Sequence, residues 1–143
     1  GRAIQELARK TKKKIVSISG NQSFSDQYVY CHPLEMLSYF KHADYVFTDT
    51  FHGTIFSIIS RCPFTTLVRR EKQGRSYGNE QKLSYLLQSL GLEERIAWNA
   101  EELASKYCPE IDFAETDSII QRERRKALEY LAVEMGSEKC RKG

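Results

Sequence analysis

Residues 43–64 read ADYVFTDTFHGTIFSIISRCPF. Tyr45 to Thr48 is a short aromatic and β-branched run, the composition of a buried strand. Asp49, Thr50, His52 and Gly53 are turn and cap residue types. Thr54 to Arg61 carries apolar residues at 55, 56, 58 and 59, which is helix spacing. Pro63 stops that helix, and Phe64 to Val68 begins another strand. The order strand, tight turn, helix, strand predicts one right-handed parallel crossover.

This geometry has a chemical consequence. In an open parallel sheet, ligands bind beyond the carboxyl ends of the strands. The Asp49–Gly53 turn sits at such an end and at a helix N-terminus, where unbonded N–H groups and the dipole favour an anion. Gly53 would let a ligand approach the backbone. His52 places there the side chain best suited to proton transfer near neutral pH. Spacing alone leaves a second reading open, in which Asp49 or Thr50 caps the helix and His52 is a structural residue.

The wider chain fits an α/β layer. Its 143 residues suffice for one domain with a core. Hydrophobic content of 41% and charged content of 29% are ordinary for a globular protein. A net charge of +3 is too mild to argue for nucleic acid. There is no apolar run of membrane-spanning length. Cys31, Cys62, Cys108 and Cys140 form no C-x-x-C pair, so neither a zinc site nor a disulfide framework is indicated.

A short helix is expected around Ala3 to Ala8, followed by Lys10, Lys12, Lys13 and Lys14 as a solvated face or linker. Ile15 to Ile18 reads as a strand and Tyr28 to Tyr30 as a second. Pro33 suits the first position of a helix running to about Lys41. His32 reads as an exposed turn residue, and His42 as a residue at ease near a helix C-terminus. Leu83, Leu86, Leu87 and Leu90 share one helix face, and Gly91 is a natural stop. Arg95 to Trp98 is an extended edge segment, with Trp98 read as packing. Ala100 to Lys106 is a short helix. A long helix is expected from Thr116 to Met135.

The loop from Arg69 to Asn79 leaves the same sheet edge as the His52 turn and has the length and glycines of a lid. Arg69, Arg70 or Arg75 could reach an anion near His52 from it. A guanidinium suits a carboxylate or phosphate because its planar fork binds both oxygens.

The run from Ala43 to Thr54 resembles the A-D-x-V-x-T-D-S-F-H-G-T signature of the polysaccharide pyruvyl transferase family. Pro33 to Leu37 looks like that family's P-x-x-x-L helix start. Phe64 to Arg69, followed by Lys82 to Leu92, looks like its strand, arginine and L-x-x-L-L-x-x-L-G-L helix. The resemblance spans roughly residues 15 to 135.

It implies two Rossmann-like domains facing across a cleft, as in GT-B glycosyltransferases. The chain, which begins at Gly1, is then expected to be the C-terminal, donor-side half of a longer protein. Residues 1–136 would be one Rossmann-like α/β domain, a parallel sheet with helices on both faces, and 137–143 a charged, disordered tail. The implied chemistry is transfer of a pyruvyl group from phosphoenolpyruvate to a sugar of a cell-surface polysaccharide or its lipid-linked precursor. Phosphoenolpyruvate is the co-substrate, and neither cofactor nor metal is implied. The partners are the donor, a saccharide acceptor and the absent N-terminal domain, in the cytoplasm or at the inner face of the membrane.

His52 matches the family's general acid. Thr50, Gly53, Thr54, Arg69, Arg70 and Arg75 are expected to bind substrate, and Asp49 to cap the helix. Thr50 stands where some members carry arginine, two residues before the histidine. That departure keeps two other readings open: a non-catalytic binding module, or a nucleotide-sugar-dependent transferase on the same fold.

Overall fold

The computed structural model describes residues 1–20, 22–69 and 80–140, with 136–140 described by backbone alone. The elements in chain order are α1 (Arg2–Thr11), β1 (Val16–Ile18), β2 (Gln27–Val29), α2 (Pro33–His42), β3 (Val46–Thr48) and α3 (Phe51–Ile59). They continue with β4 (Phe64–Leu67), α4 (Glu80–Ser89), a 3-10 turn (Glu93–Arg95), β5 (Ile96–Ala97), α5 (Ala100–Ser105) and α6 (Ala114–Cys140). This is an α/β, Rossmann-like arrangement of parallel strands and helices.

The β3–α3–β4 unit forms the crossover read from the sequence. β3 and β4 are parallel, with Val46 opposite Phe64 and Thr48 opposite Thr66. β5 adds in parallel on the far side of β4, with Thr66 opposite Ile96. The strand expected to reach 68 ends at Leu67, but Val68 N–H still donates to Ala97 O at 2.8 Å.

Alternation along β4 shows which helix covers which face. Thr66 meets Thr54 of α3 through their hydroxyls at 2.9 Å. Thr65, pointing the other way, donates to Lys106 O just beyond α5. Helices therefore lie on both faces. On the α3 side, Ile58, Phe64, Val68, Leu83, Leu87, Leu92 and Ile96 form one buried cluster, with Leu90 and Trp98 packed against it. The leucine face and Trp98 are core, as expected. Gly91 ends α4's run with φ of +68°.

One expectation is corrected. The strand near 15–18 was expected to share a sheet with 45–48 and 64–68. Instead β1 pairs with β2 in a separate parallel ladder. Local bonds satisfy this segment: Asp26 Oδ2 accepts from Ile15 N–H at 2.7 Å, and the Ser17 and Ser25 hydroxyls meet at 3.0 Å. Its start is held beside β3 by the Lys13–Asp44 ion pair at 2.9 Å, so Lys13 has a partner within the linker reading.

His32 caps α2: its Nδ1 accepts from Leu34 N–H, while Glu35 Oε2 accepts from His32 N–H at 3.1 Å. His42 Nδ1 donates to Ser38 O at 2.7 Å. α6 starts before Thr116 and runs past Met135. Its first turns are anchored by buried Phe113, by Thr116 Oγ1 donating to Leu90 O, and by an Arg61–Asp117 ion pair. From Ile120 to Met135 every residue is exposed. Among the described residues, no helix is long and apolar enough to cross a membrane.

Candidate active site at the start of the third helix

β3 ends at Thr48, and the chain must turn within two residues to enter α3. Thr50, not Asp49, makes that entry. Its backbone is extended, and its Oγ1 accepts from Gly53 N–H at 3.0 Å. Its carbonyl accepts from Thr54 N–H at 3.1 Å. Thr48 Oγ1 in turn accepts from Thr50 N–H at 3.2 Å and lies 3.1 Å from Thr50 Oγ1. Asp49 is drawn elsewhere: its Oδ2 accepts from Arg69 Nη2 at 2.7 Å, across the ends of β3 and β4. The carboxylate prefers a guanidinium to a neutral N–H because a charge-assisted bond is the stronger one.

Gly53 is needed for a different reason from the one expected. A Cβ there would lie 2.2 Å from Thr48 Oγ1 and 2.8 Å from Thr50 Oγ1. The close approach is made by the protein's own threonines. Thr54 is fully buried, and its hydroxyl donates to Thr50 O at 3.0 Å as well as meeting Thr66. The N–H groups of Gly53 and Thr54, expected to hold an anion, are therefore already bonded to Thr50. The donors left at this helix start are the N–H groups of Phe51 and His52, which have no acceptor among the described residues. A helix start leaves such N–H groups outside its own ladder, and the dipole adds a partial positive charge there.

His52 occupies the second position of α3 and is exposed. Its ring lies 6.4 Å from the Phe51 ring and 6.4 Å from the Phe56 ring, centroid to centroid. Phe56 is itself braced edge-on by Phe40 of α2 at 5.9 Å. Among the described residues no side chain or carbonyl hydrogen-bonds the imidazole. The arrangement is thus an accessible imidazole beside two unbonded N–H groups, with one Asp–Arg pair at the same strand ends.

Of the residues expected here, the fold brings together Asp49, Thr50, His52, Gly53 and Arg69. Thr54 lies behind them in the core. Arg70 and Arg75, and the rest of the segment read from the sequence as a lid, lie outside the described residues. Two participants were missed. Thr48 could have been suspected, since a hydroxyl two residues before a threonine cap is within reach of it. Thr66 could not, because its role depends on the register that sets it opposite Thr48.

One comparison matches the part of the chain that builds this turn. No curated protein and no solved structure matches the chain. The family model described as polysaccharide pyruvyl transferase matches residues 4–70. That span begins earlier than the resemblance read from the sequence and stops before the leucine-rich helix α4. It runs from within α1 through β4 and takes in the whole His52 turn and Arg69, and over this segment the chain is similar to the polysaccharide pyruvyl transferase family.

Proposed function

We propose that this chain carries the donor side of pyruvyl transfer from phosphoenolpyruvate to a sugar of a cell-surface polysaccharide or its lipid-linked precursor, with His52 as the general acid. The observation that carries the reading is the accessible imidazole of His52 at the carboxyl edge of the parallel sheet, in the first turn of α3. In this reading the imidazolium of His52 gives its proton to the methylene carbon of the donor. Positive charge develops at the adjacent carbon, and a sugar hydroxyl adds there and loses its proton. Phosphate then leaves with its bridging oxygen, and a second hydroxyl closes the ketal. Three hydrogens end on the methyl group and one on the phosphate, which accounts for the two methylene hydrogens and the two hydroxyl hydrogens.

The N–H groups of Phe51 and His52, with the helix dipole, suit the donor's phosphate. Arg69 supplies at the strand end the guanidinium that Thr50 does not, and Arg70 and Arg75 belong to the same proposed clamp. The acceptor would dock on a second, GT-B-like domain. The reading therefore holds that the 143 residues alone bind donor but do not turn over. A cytosolic donor places the reaction in the cytoplasm or at the inner membrane face.

The test is His52→Asn in the two-domain protein. Transfer of labelled pyruvate to saccharide should fall by a factor on the order of 10²–10⁴, as lost acid catalysis does. Affinity for phosphoenolpyruvate should change little, because the backbone donors remain. Unchanged turnover would overturn the role of His52. Titration of wild-type protein with phosphoenolpyruvate and with nucleotide sugars separates this reading from a glycosyltransferase or a binding module.

A further inference from the structure

We infer that the exposed length of α6 pairs antiparallel with α6 of a second copy of this chain. The inference is independent of the donor reading. Near the start of the helix Thr116 is buried at 1% exposure, and Ile120, Ala127, Leu128, Leu131 and Met135 continue along the same side beyond that cover. Ile120 is 40% exposed, Leu128 59%, Leu131 53% and Met135 70%. A continuous apolar row left bare on a soluble surface marks an interaction site. A helix of this length is also marginal when it stands alone in water, so a partner that covers the row stabilises it.

The charges say which partner fits. Arg122, Arg124, Arg125 and Lys126 lie together with Glu123, whereas Glu129 and Glu134 carry the charge of 127–135. A parallel pair of these helices would set the basic stretch against itself. An antiparallel pair sets it beside the partner's acidic stretch, and two-fold symmetry makes the contact twice. With Ala127 against the partner's Leu128, Ile120 lies at the level of the partner's Met135. Arg125 then falls within one residue of the level of the partner's Glu129, on the same flank of the row.

Glu123 is already engaged with Arg122 and Lys126, but Arg124, Arg125 and Glu129 have no side-chain partner among the described residues. Arg124 moreover sits within the apolar row. A wholly apolar groove would leave that charge stranded, which is costly, while a second α6 brings carboxylates to it. The apolar row supplies the burial, and the charges fix direction and partner. The face is short for a stable interface, so the dimer is weak and α6 stands uncovered in dilute protein.

The experiment is sedimentation equilibrium of the 143-residue chain from micromolar to millimolar concentration. The wild type should pass from monomer to dimer over that range. Leu128→Glu and Leu131→Glu should each abolish the dimer. Arg125→Glu and Glu129→Lys should each weaken it about tenfold, by setting like charges together. The double variant Arg125→Glu/Glu129→Lys should recover most of that loss, since the pair is restored with its signs exchanged. Denaturation midpoints in dilute protein should stay together across the set, because none of these side chains is buried.

A chain that stays monomeric throughout would overturn the inference, and co-sedimentation of that monomer with phosphatidylserine vesicles would assign the face to a membrane instead. A dimer that survives Leu128→Glu and Leu131→Glu would place the contact elsewhere. Single charge reversals that leave association unchanged, or a double variant no better than the singles, would overturn the antiparallel arrangement.

Discussion

At Gly53 the space for a side chain is already filled by Thr48 and Thr50. Gly53→Ala should therefore cost about 1–3 kcal/mol, the usual penalty for overpacking. Urea unfolding measures it. Adding Thr48→Ala, which removes the nearer oxygen, should restore part of that loss. Cys62 offers a second residue-scale test. It is 3% exposed, and burial, aided by the nearby Asp44 carboxylate, pushes its thiol from 9.0 up to about 11. Below pH 9 both folded and unfolded chains keep this proton. Between about pH 9 and 11 the unfolded chain loses it first, so stability should fall as pH rises through that window. Denaturation midpoints for wild type and Cys62→Ala should converge there. A maleimide should label exposed Cys108 well before Cys62.

At the scale of elements, the hydroxyls of Thr54 and Thr66 join α3 to β4 in a fully buried contact. Replacing either threonine by valine strands the other hydroxyl, which is costly in a dry core. Replacing both removes the need for a partner. The losses in folding free energy should therefore be non-additive, with Thr54→Val/Thr66→Val less destabilising than the two single changes combined. The elements themselves were legible where apolar periodicity was strong. The 45–48 strand, the 54–61 helix, the Phe64 strand and the leucine face of α4 all have patterns that local sequence dictates. The placing of the turn's hydrogen bonds was not legible. Asp49 and Thr50 are both good caps, and the choice between them was made by Arg69, twenty residues away. The separation of β1 from β3 was hidden for a related reason. A three-residue strand carries too little pattern to show which neighbour it will pair with.

Across the whole molecule, burial is uneven. β4 contributes Phe64, Thr65 and Thr66 at 0% exposure, whereas α6 is anchored to the rest of the fold near its start. From Ile120 to Met135 the helix extends about 24 Å at 1.5 Å per residue without cover from the rest of the described chain. Within it, Glu123 accepts from Lys126 at 2.9 Å and pairs with Arg122. These pairs add only tenths of a kcal/mol. Helices of this length are marginal in water when they stand alone. Amide exchange in 121–135 should therefore run orders of magnitude faster than in β4, where it should track global unfolding. The same uneven anchoring bears on how the chain meets a protease. Arg122, Arg124, Arg125 and Lys126 lie together on this uncovered stretch, so brief trypsin treatment of the native protein should cut there well before it cuts at Arg95, which is buried beside β5.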